Sequence, residues 1–266
     1  MATITHSLGK MNITTSSYYD GIIACRDRIV KEGKTQELSN ICWAFATIGY
    51  KCDALCYAVS TQHARIVKTG DVQHISNIAW AFAKLNYKSD SYFEAVAKEH
   101  ARVIKDGTLQ NLSNVCWAFA TLEHKAPSLF KAAGEEHERI AKDGNAQDFS
   151  NIVWAFAKME YKSENLFTAV AGQQERFMKK GDVQALSNIL SAFAKLGYKS
   201  MELFEAVASE HVRIVETGDI QAMSNIVWAF ATLGIKSSDL FKAVAGEVER
   251  IARDGTEQEF LNTMWR

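Results

Sequence analysis

One spacing governs this sequence: an asparagine recurs every 37 residues without insertion or deletion, at Asn40, Asn77, Asn114, Asn151, Asn188, Asn225 and Asn262. A glutamine, a glycine and an arginine keep the same spacing, for example Gln73, Gly107 and Arg102. Unbroken periods of this length are typical of repeat proteins, in which each unit packs only against its neighbours. The sequence therefore predicts a solenoid rather than one or two globular domains.

Each period contains two helical patterns with a turn between them. In residues 71–107, apolar residues three or four apart form the stripe of a first helix, which Asp71 is placed to cap. A second pattern starts after Ser89 or Asp90 and stops near Gly107. The equivalent cap candidates are Thr108, Asn145, Asp182, Asp219 and Thr256. The predicted fold is an all-α α-solenoid, a right-handed superhelix of two-helix repeats with a 37-residue period.

The register divides the chain into three parts. Residues 1–33 form an N-terminal segment with a lone second helix, residues 34–255 hold six complete two-helix repeats, and residues 256–266 begin the first helix of a further repeat. The last apolar face of a solenoid normally needs a polar cap. We therefore expect self-association or a protein partner at the C-terminal end.

Composition and charge limit which partners the chain is expected to bind. The chain is 47% hydrophobic, but no apolar run approaches the roughly 20 residues of a membrane span, so we expect a folded protein with no membrane partner. The formal net charge is −1, which gives no overall attraction to a polyanion. Contact with a nucleic acid would need local segregation of charge.

The sequence contains no arrangement typical of catalysis or metal binding. Cys42 and Cys116 occupy a repeat position that Ala79 and Val153 fill elsewhere, so they are predicted to be small core residues. Cys52 and a cysteine four residues later have no paired histidines to complete a zinc site. With no nucleophile elbow, phosphate loop or paired carboxylates, we expect no enzyme, no cofactor and no small-molecule substrate.

A polar and aromatic stripe runs along each first helix. Gln73, Asn77, Trp80 and Lys84 lie on one side of the helix, where amides can bond to bases and an indole can stack on them. Alternatively, the amides bond within the protein and the indoles pack between repeats. The tryptophans are Trp43, Trp80, Trp117, Trp154, Trp228 and Trp265.

The fifth repeat has Ser191 at the tryptophan position. Replacing a fully buried tryptophan by serine would cost about 3–5 kcal/mol. We therefore expect this position to be partly exposed, or repacked locally around the larger Leu190.

The position after the glutamine varies within an otherwise constant frame: Glu37, His74, Asn111, Asp148, Ala185, Ala222 and Glu259. An array that distinguishes nucleotides needs positions that differ between repeats. We expect this position on the exposed side of the first helix, as a candidate base reader. Variation of an unconstrained surface position is the alternative.

Two cationic rows accompany the stripe. Lysines occur in all six turns, at Lys51, Lys88, Lys125, Lys162, Lys199 and Lys236, and three more lie on first helices, at Lys84, Lys158 and Lys195. Together they form a candidate phosphate track. Alternatively, they complement the helix dipole. The arginines suit helix-surface ion pairs, for example Arg102 with Glu99 and Asp106.

Four segments carry a family resemblance: LSNICWAFATIGYK, ISNIAWAFAKLNYK, LSNVCWAFATLEHK and FSNIVWAFAKMEYK. They resemble the octotricopeptide family and its 37-residue heptatricopeptide relatives, over nearly the whole chain. The resemblance implies an α-solenoid that binds single-stranded RNA, with roughly one nucleotide per repeat. It also implies a role in organellar RNA stability, processing or translation, in a mitochondrion or plastid. The RAP domain that ends longer members is absent from this sequence.

A protein-interaction scaffold is the competing hypothesis. Helical solenoids also hold extended peptides, and armadillo arrays use rows of tryptophan and asparagine for this purpose. Armadillo units, however, are longer and have three helices. A basic face lined by Lys84, Lys158 and Lys195 would favour RNA, whereas a neutral or acidic groove would favour a peptide.

Overall fold

The computed structural model describes residues 2–14 and 16–263, and within them it has 22 α-helices and no strand. The chain divides into two compact units, Met1–Ala133 and Gly134–Arg266. Within each unit, successive first helices pack side by side, which confirms the predicted all-α solenoid. Among these helices, none combines the length and the apolar character that crossing a membrane requires.

The first helices begin where the caps predict. They are α4 (Thr35–Thr47), α7 (Val72–Lys84), α10 (Leu109–Thr121), α13 (Ala146–Lys158), α16 (Val183–Leu196), α19 (Ile220–Thr232) and α22 (Glu257–Thr263). The Asp71 carboxylate accepts a hydrogen bond from the His74 backbone N–H at 2.9 Å. Equivalent caps are present at Thr108, Asn145, Asp182, Asp219 and Thr256. The predicted cap positions are confirmed.

The second pattern of each repeat forms two short helices, not the single helix expected. The pairs are α5 (Asp53–Ser60) with α6 (His63–Thr69), α8 (Asp90–Lys98) with α9 (His100–Asp106), α11 (Pro127–Glu135) with α12 (His137–Asp143), α14 (Glu164–Ala171) with α15 (Gln174–Lys180), α17 (Met201–Ser209) with α18 (His211–Thr217), and α20 (Ser238–Gly246) with α21 (Val248–Asp254). At Glu99 the backbone N–H bonds to the Val96 carbonyl three residues back. The His100 ring nitrogen lies 3.0 Å from the Ala97 carbonyl at this break.

The N-terminal segment contains a helix that the sequence did not indicate, α1 (Ala2–Lys10), before α2 (Ser16–Ala24) and α3 (Arg26–Glu32). Helix α1 packs against α4 in the manner of a first helix. Its His6 ring lies 4.7 Å from the Trp43 ring, at the same register position one period earlier. Asn12 and Gly49, also one period apart, both have positive φ, at 52° and 68°. The second-helix segment at this end is therefore not alone.

Two layers enclose the core of each unit. First helices contribute fully buried residues such as Ile75 and Phe82, and the second-pattern helices cover their other side. The Tyr92 hydroxyl of α8 donates to the Ile75 carbonyl of α7 at 2.8 Å. Cys42 and Cys116 are buried, as predicted, and burial raises the pKa of the Cys116 thiol to about 12.

The arginine row joins neighbouring repeats, a role that the sequence did not predict. Arg102 pairs with Glu99 at 3.3 Å, as expected, and also donates to the Val67 carbonyl of the preceding repeat. Arg65 likewise donates to the Gly33 carbonyl at 2.7 Å. These guanidinium groups satisfy carbonyls at the end of the preceding helix, which would otherwise lack partners.

Candidate nucleic-acid interface

Solvent reaches the first helices along one side only. In α7, eight of 13 residues are buried, and the accessible side chains include Gln73, Asn77, Trp80 and Lys84. We call these four positions and their equivalents the amide–tryptophan stripe. The glutamine and lysine are exposed, while the asparagine and tryptophan are half-buried. The stripe predicted from the sequence is thus brought together on the solvent-facing side.

The same arrangement recurs on the other first helices of both units. The further stripe residues are Gln36, Asn40 and Trp43 on α4; Gln110, Asn114 and Trp117 on α10; Gln147, Asn151, Trp154 and Lys158 on α13; Gln184, Asn188, Ser191 and Lys195 on α16; and Gln221, Asn225 and Trp228 on α19. The tryptophans are half-buried, which confirms the partial exposure expected from Ser191. Trp265 lies outside the described residues.

Between repeats, the residue type changes at a buried position but stays constant at two accessible positions. The position before the tryptophan is buried, yet it changes from Ala79 to Cys116, Val153 and Leu190. Packing tolerates such apolar exchanges when neighbours adjust. The accessible glutamine and asparagine of the stripe never change. These positions are accessible, so burial does not impose their residue types.

Some stripe amides form hydrogen bonds within the protein and others do not. Gln147 and Gln184 each donate from Nε2 to the asparagine four residues later, at 2.8 and 3.1 Å. In the described part of unit 1, by contrast, the side chains of Asn40, Asn77 and Asn114 make no hydrogen bond to protein. The alternative of purely internal amide bonding therefore holds for some repeats and fails for others.

The position after the glutamine is not where we expected it. The predicted exposure is wrong for Asn111, Asp148, Ala185 and Ala222, which are buried; Asn111 is only 7% exposed. Glu37 is exposed, whereas His74 and Glu259 are half-buried. The cause is that this residue is the third of the helix and its side chain turns back towards the helix start or the preceding helix.

Where this residue is Asn111 or Asp148, its side chain completes the helix cap. The Thr108 backbone N–H donates to Asn111 Oδ1 at 3.1 Å, while the Asn111 N–H donates to Thr108 Oγ1. Asn145 and Asp148 form the same reciprocal pair. The pattern of a capping residue followed three positions later by an acid or amide is visible in the sequence, and it could have revealed this role.

A row of serines precedes the stripe asparagines and was missed. All are buried against neighbouring first helices: Ser39, Ser76, Ser113, Ser150, Ser187 and Ser224. Asn111 Nδ2 donates to Ser76 Oγ at 3.1 Å, and Asn188 Nδ2 donates to Ser150 Oγ at 3.3 Å. Among the described residues, the hydroxyls of Ser39, Ser187 and Ser224 have no hydrogen-bond partner. A serine that recurs within an apolar stripe was the available signal, because buried hydroxyls usually have partners.

The lysines of both rows are exposed: Lys51, Lys88, Lys125, Lys162, Lys199 and Lys236 in the turns, and Lys84, Lys158 and Lys195 at the ends of first helices. A turn separates Lys84 from Lys88, so both lie near the C-terminal end of α7. This placement suits contact with phosphates as well as with the helix dipole.

The cysteine pair has no features of a reactive or metal-binding site. Cys56 is buried, and its thiol pKa is raised to about 12. Burial is the main cause, and the neighbouring Cys52 and Asp53 add to it. Its protonated form is a poor nucleophile and a poor metal ligand. Over residues 2–14 and 16–263, no three His, Cys, Asp or Glu side chains converge on a metal position.

Comparison with known proteins identifies a family. The model of the RNA-editing substrate-binding complex 6 protein family matches residues 34–265, which include the stripe-bearing helices from α4 onwards. A search of curated proteins found no match.

Proposed function

The chain belongs to the RNA-editing substrate-binding complex 6 protein family, and we propose that it binds single-stranded RNA along its amide–tryptophan stripes. The observation that carries the proposal is the constancy of the accessible glutamines and asparagines beside a variable core. A family named for RNA editing and substrate binding supports RNA as the ligand.

Each residue type in the stripe has a function in such a complex. The glutamine and asparagine amides donate to and accept from base edges, and the half-exposed indoles stack on base faces. Exposed lysines at the helix ends neutralise phosphates. Local charge thus compensates for a formal net charge of −1.

The finer assignments are part of the same proposal. We propose sequence-selective binding with about one nucleotide per repeat, as in other helical RNA-binding arrays, and octotricopeptide-like or heptatricopeptide-like repeats. The chain binds RNA for processing and does not itself catalyse a reaction. We also propose a mitochondrial location, which rests on the resemblance to organellar repeat proteins. Further protein partners agree with a family named for a complex.

Selection from a random pool of single-stranded RNA tests the proposal. We expect the purified chain to enrich a short motif, with an affinity that falls as salt rises. The matched variants are Trp117→Ala on the stripe and Tyr57→Ala, which removes a 65% exposed aromatic residue on α5. Only the first is expected to lose affinity.

Two results would contradict the proposal. No retention of RNA even at low salt would favour the scaffold hypothesis, which peptide-library binding could then examine. Equal losses in the two aromatic variants would show that RNA binds elsewhere on the chain.

A further inference from the structure

Two buried serines show that neighbouring first helices bond to each other in two different ways. In unit 1, Ser76 of α7 receives the Nδ2 hydrogen bond of Asn111 at 3.1 Å. In unit 2, Ser150 of α13 receives that of Asn188 at 3.3 Å. Asn111 follows the stripe glutamine, whereas Asn188 is the stripe asparagine itself. The same kind of hydroxyl is therefore satisfied by different residues in the two places.

The residue after the glutamine differs between these two repeats. In the third repeat it is Asn111, whose amide reaches Ser76, and Asn114 makes no protein hydrogen bond within the described residues. In the fifth repeat it is Ala185, which has no polar side chain. With no such side chain in the way, Asn188 bonds to Ser150.

In the sixth repeat, the stripe asparagine does not bond to the buried serine. Ala222 follows the glutamine there, and among the described residues the buried Ser187 hydroxyl has no hydrogen-bond partner. Asn225 therefore remains unengaged, while Asn188 is turned inwards. With alanine at this position, the structure contains both an inward and an unengaged stripe asparagine.

We infer that the residue after the glutamine influences base preference from inside the protein: an asparagine there occupies the buried serine and keeps the stripe asparagine free, whereas an alanine leaves the serine open to the stripe asparagine. This inference rests on the proposed RNA binding. Asn111 and Ala185 are then positioning residues, and Asn114 and Asn188 are the groups that face the base. The variable position acts without contacting RNA, which agrees with its burial.

The hydrogen bonds define the expected difference in recognition. Asn188 accepts from Gln184 at Oδ1 and donates to Ser150 at Nδ2, so both ends of its amide are held. Neither end of the Asn114 amide is held by a described residue, so it can turn to present a donor and an acceptor together to a base edge. The third repeat should therefore discriminate between bases more strongly than the fifth.

A rescue experiment tests the inference. Asn111→Ala leaves Ser76 open and is expected to draw Asn114 inwards, which lowers base discrimination at one nucleotide of the selected motif by about 10-fold. Adding Ser76→Ala removes the inward acceptor and is expected to restore that discrimination. A merely structural defect would persist or worsen in the double variant.

The fifth repeat provides the reciprocal test. Ser150→Ala and, separately, Ala185→Asn should each release Asn188 and sharpen the preference at a different nucleotide. Ser150→Ala leaves the helix start unchanged, so agreement between the two variants separates release of the asparagine from an altered cap. Thermal unfolding of every variant verifies that the fold is intact.

The outcomes separate this inference from the proposed function. If the wild-type chain selects a motif that Asn111→Ala leaves unchanged, the inference is overturned and RNA binding stands. If discrimination is lost but Ser76→Ala does not restore it, the inference is also overturned. If the wild-type chain selects no RNA, the proposed function fails and the inference fails with it.

Discussion

The third and fifth repeats have the same frame but offer different groups to solvent. Each has a capped first helix, a preceding glycine and a buried serine. On α10 the stripe residues are Gln110, Asn114, Trp117 and Thr121, and on α16 they are Gln184, Asn188, Ser191 and Lys195. The fifth repeat thus lacks an indole, holds its asparagine inwards and gains a cation. The two repeats therefore share the features that stabilise the fold and differ in the groups proposed to contact RNA.

The largest expected effect concerns the frame, at the glycine before each first helix. A Cβ at Gly107 would lie 2.9 Å from Val72 Cγ1, whereas at Gly181 the nearest neighbouring-repeat side-chain atom, Ala146 Cβ, would be 3.4 Å away. We expect Gly107→Ala to lower the free energy of unfolding by about 2–3 kcal/mol and Gly181→Ala by about 1 kcal/mol. Denaturant unfolding of both variants measures the difference.

Both glycines have negative φ, so neither position needs a left-handed backbone that alanine would disfavour. The two sites differ in the contact with the preceding repeat and also in the approach of the added Cβ to a backbone carbonyl. Equal destabilisation by the two substitutions would mean that the shared approach to a carbonyl of the preceding turn, at 2.4 Å from Val103 and 2.8 Å from Phe177, determines the cost instead.

The fold was largely predictable because its signals are local. The 37-residue period, the caps such as Asp71 and the glycine stops define the first helices directly. The break at Glu99 was not predictable from apolar periodicity, since the helices on either side continue the same stripe. Helix α1 was missed because its nine residues lack the Trp-Ala-Phe-Ala run and its place is set by packing on α4.

The candidate site was predictable only in part. Helical spacing placed Gln73, Asn77 and Trp80 on one side, and the structure agrees. Spacing could not show that Asn111 turns inwards, because that depends on a serine 35 residues earlier on the adjacent helix. Variation in a residue is typical of exposed positions, but here it occurs at a buried position that can bond to a serine of the adjacent helix.

The next largest effect concerns the indole that the fifth repeat lacks. Stacking on an aromatic side chain contributes about 1–3 kcal/mol per base, so Trp117→Ala should weaken RNA binding by about 10- to 100-fold. In the fifth repeat, Leu190→Val with Ser191→Trp recreates the Val153 and Trp154 pair of the fourth repeat. That double variant should strengthen binding by about 10-fold, as measured by equilibrium titration with the selected RNA.

Single substitutions separate packing from stacking. Leu190→Val alone should leave affinity unchanged, because Leu190 is buried. Trp117→Phe should retain most of the affinity that alanine loses. If the added tryptophan folds correctly but affinity does not rise, RNA does not approach α16, and the fifth repeat is a gap in the bound array.

The smallest expected effect concerns charge, where the third repeat has Thr121 and the fifth has Lys195. Each phosphate contact on a single strand contributes about 0.7 to the slope of log affinity against log salt. Lys195→Thr should therefore lower the slope by about 0.7, and Thr121→Lys should raise it by a similar amount. Both changes should leave the selected motif intact, because phosphate contacts carry no base information. An unchanged slope in Lys195→Thr would assign this lysine to the C-terminal dipole of α16 instead, and the variant would then lose only about 0.3–1 kcal/mol of stability.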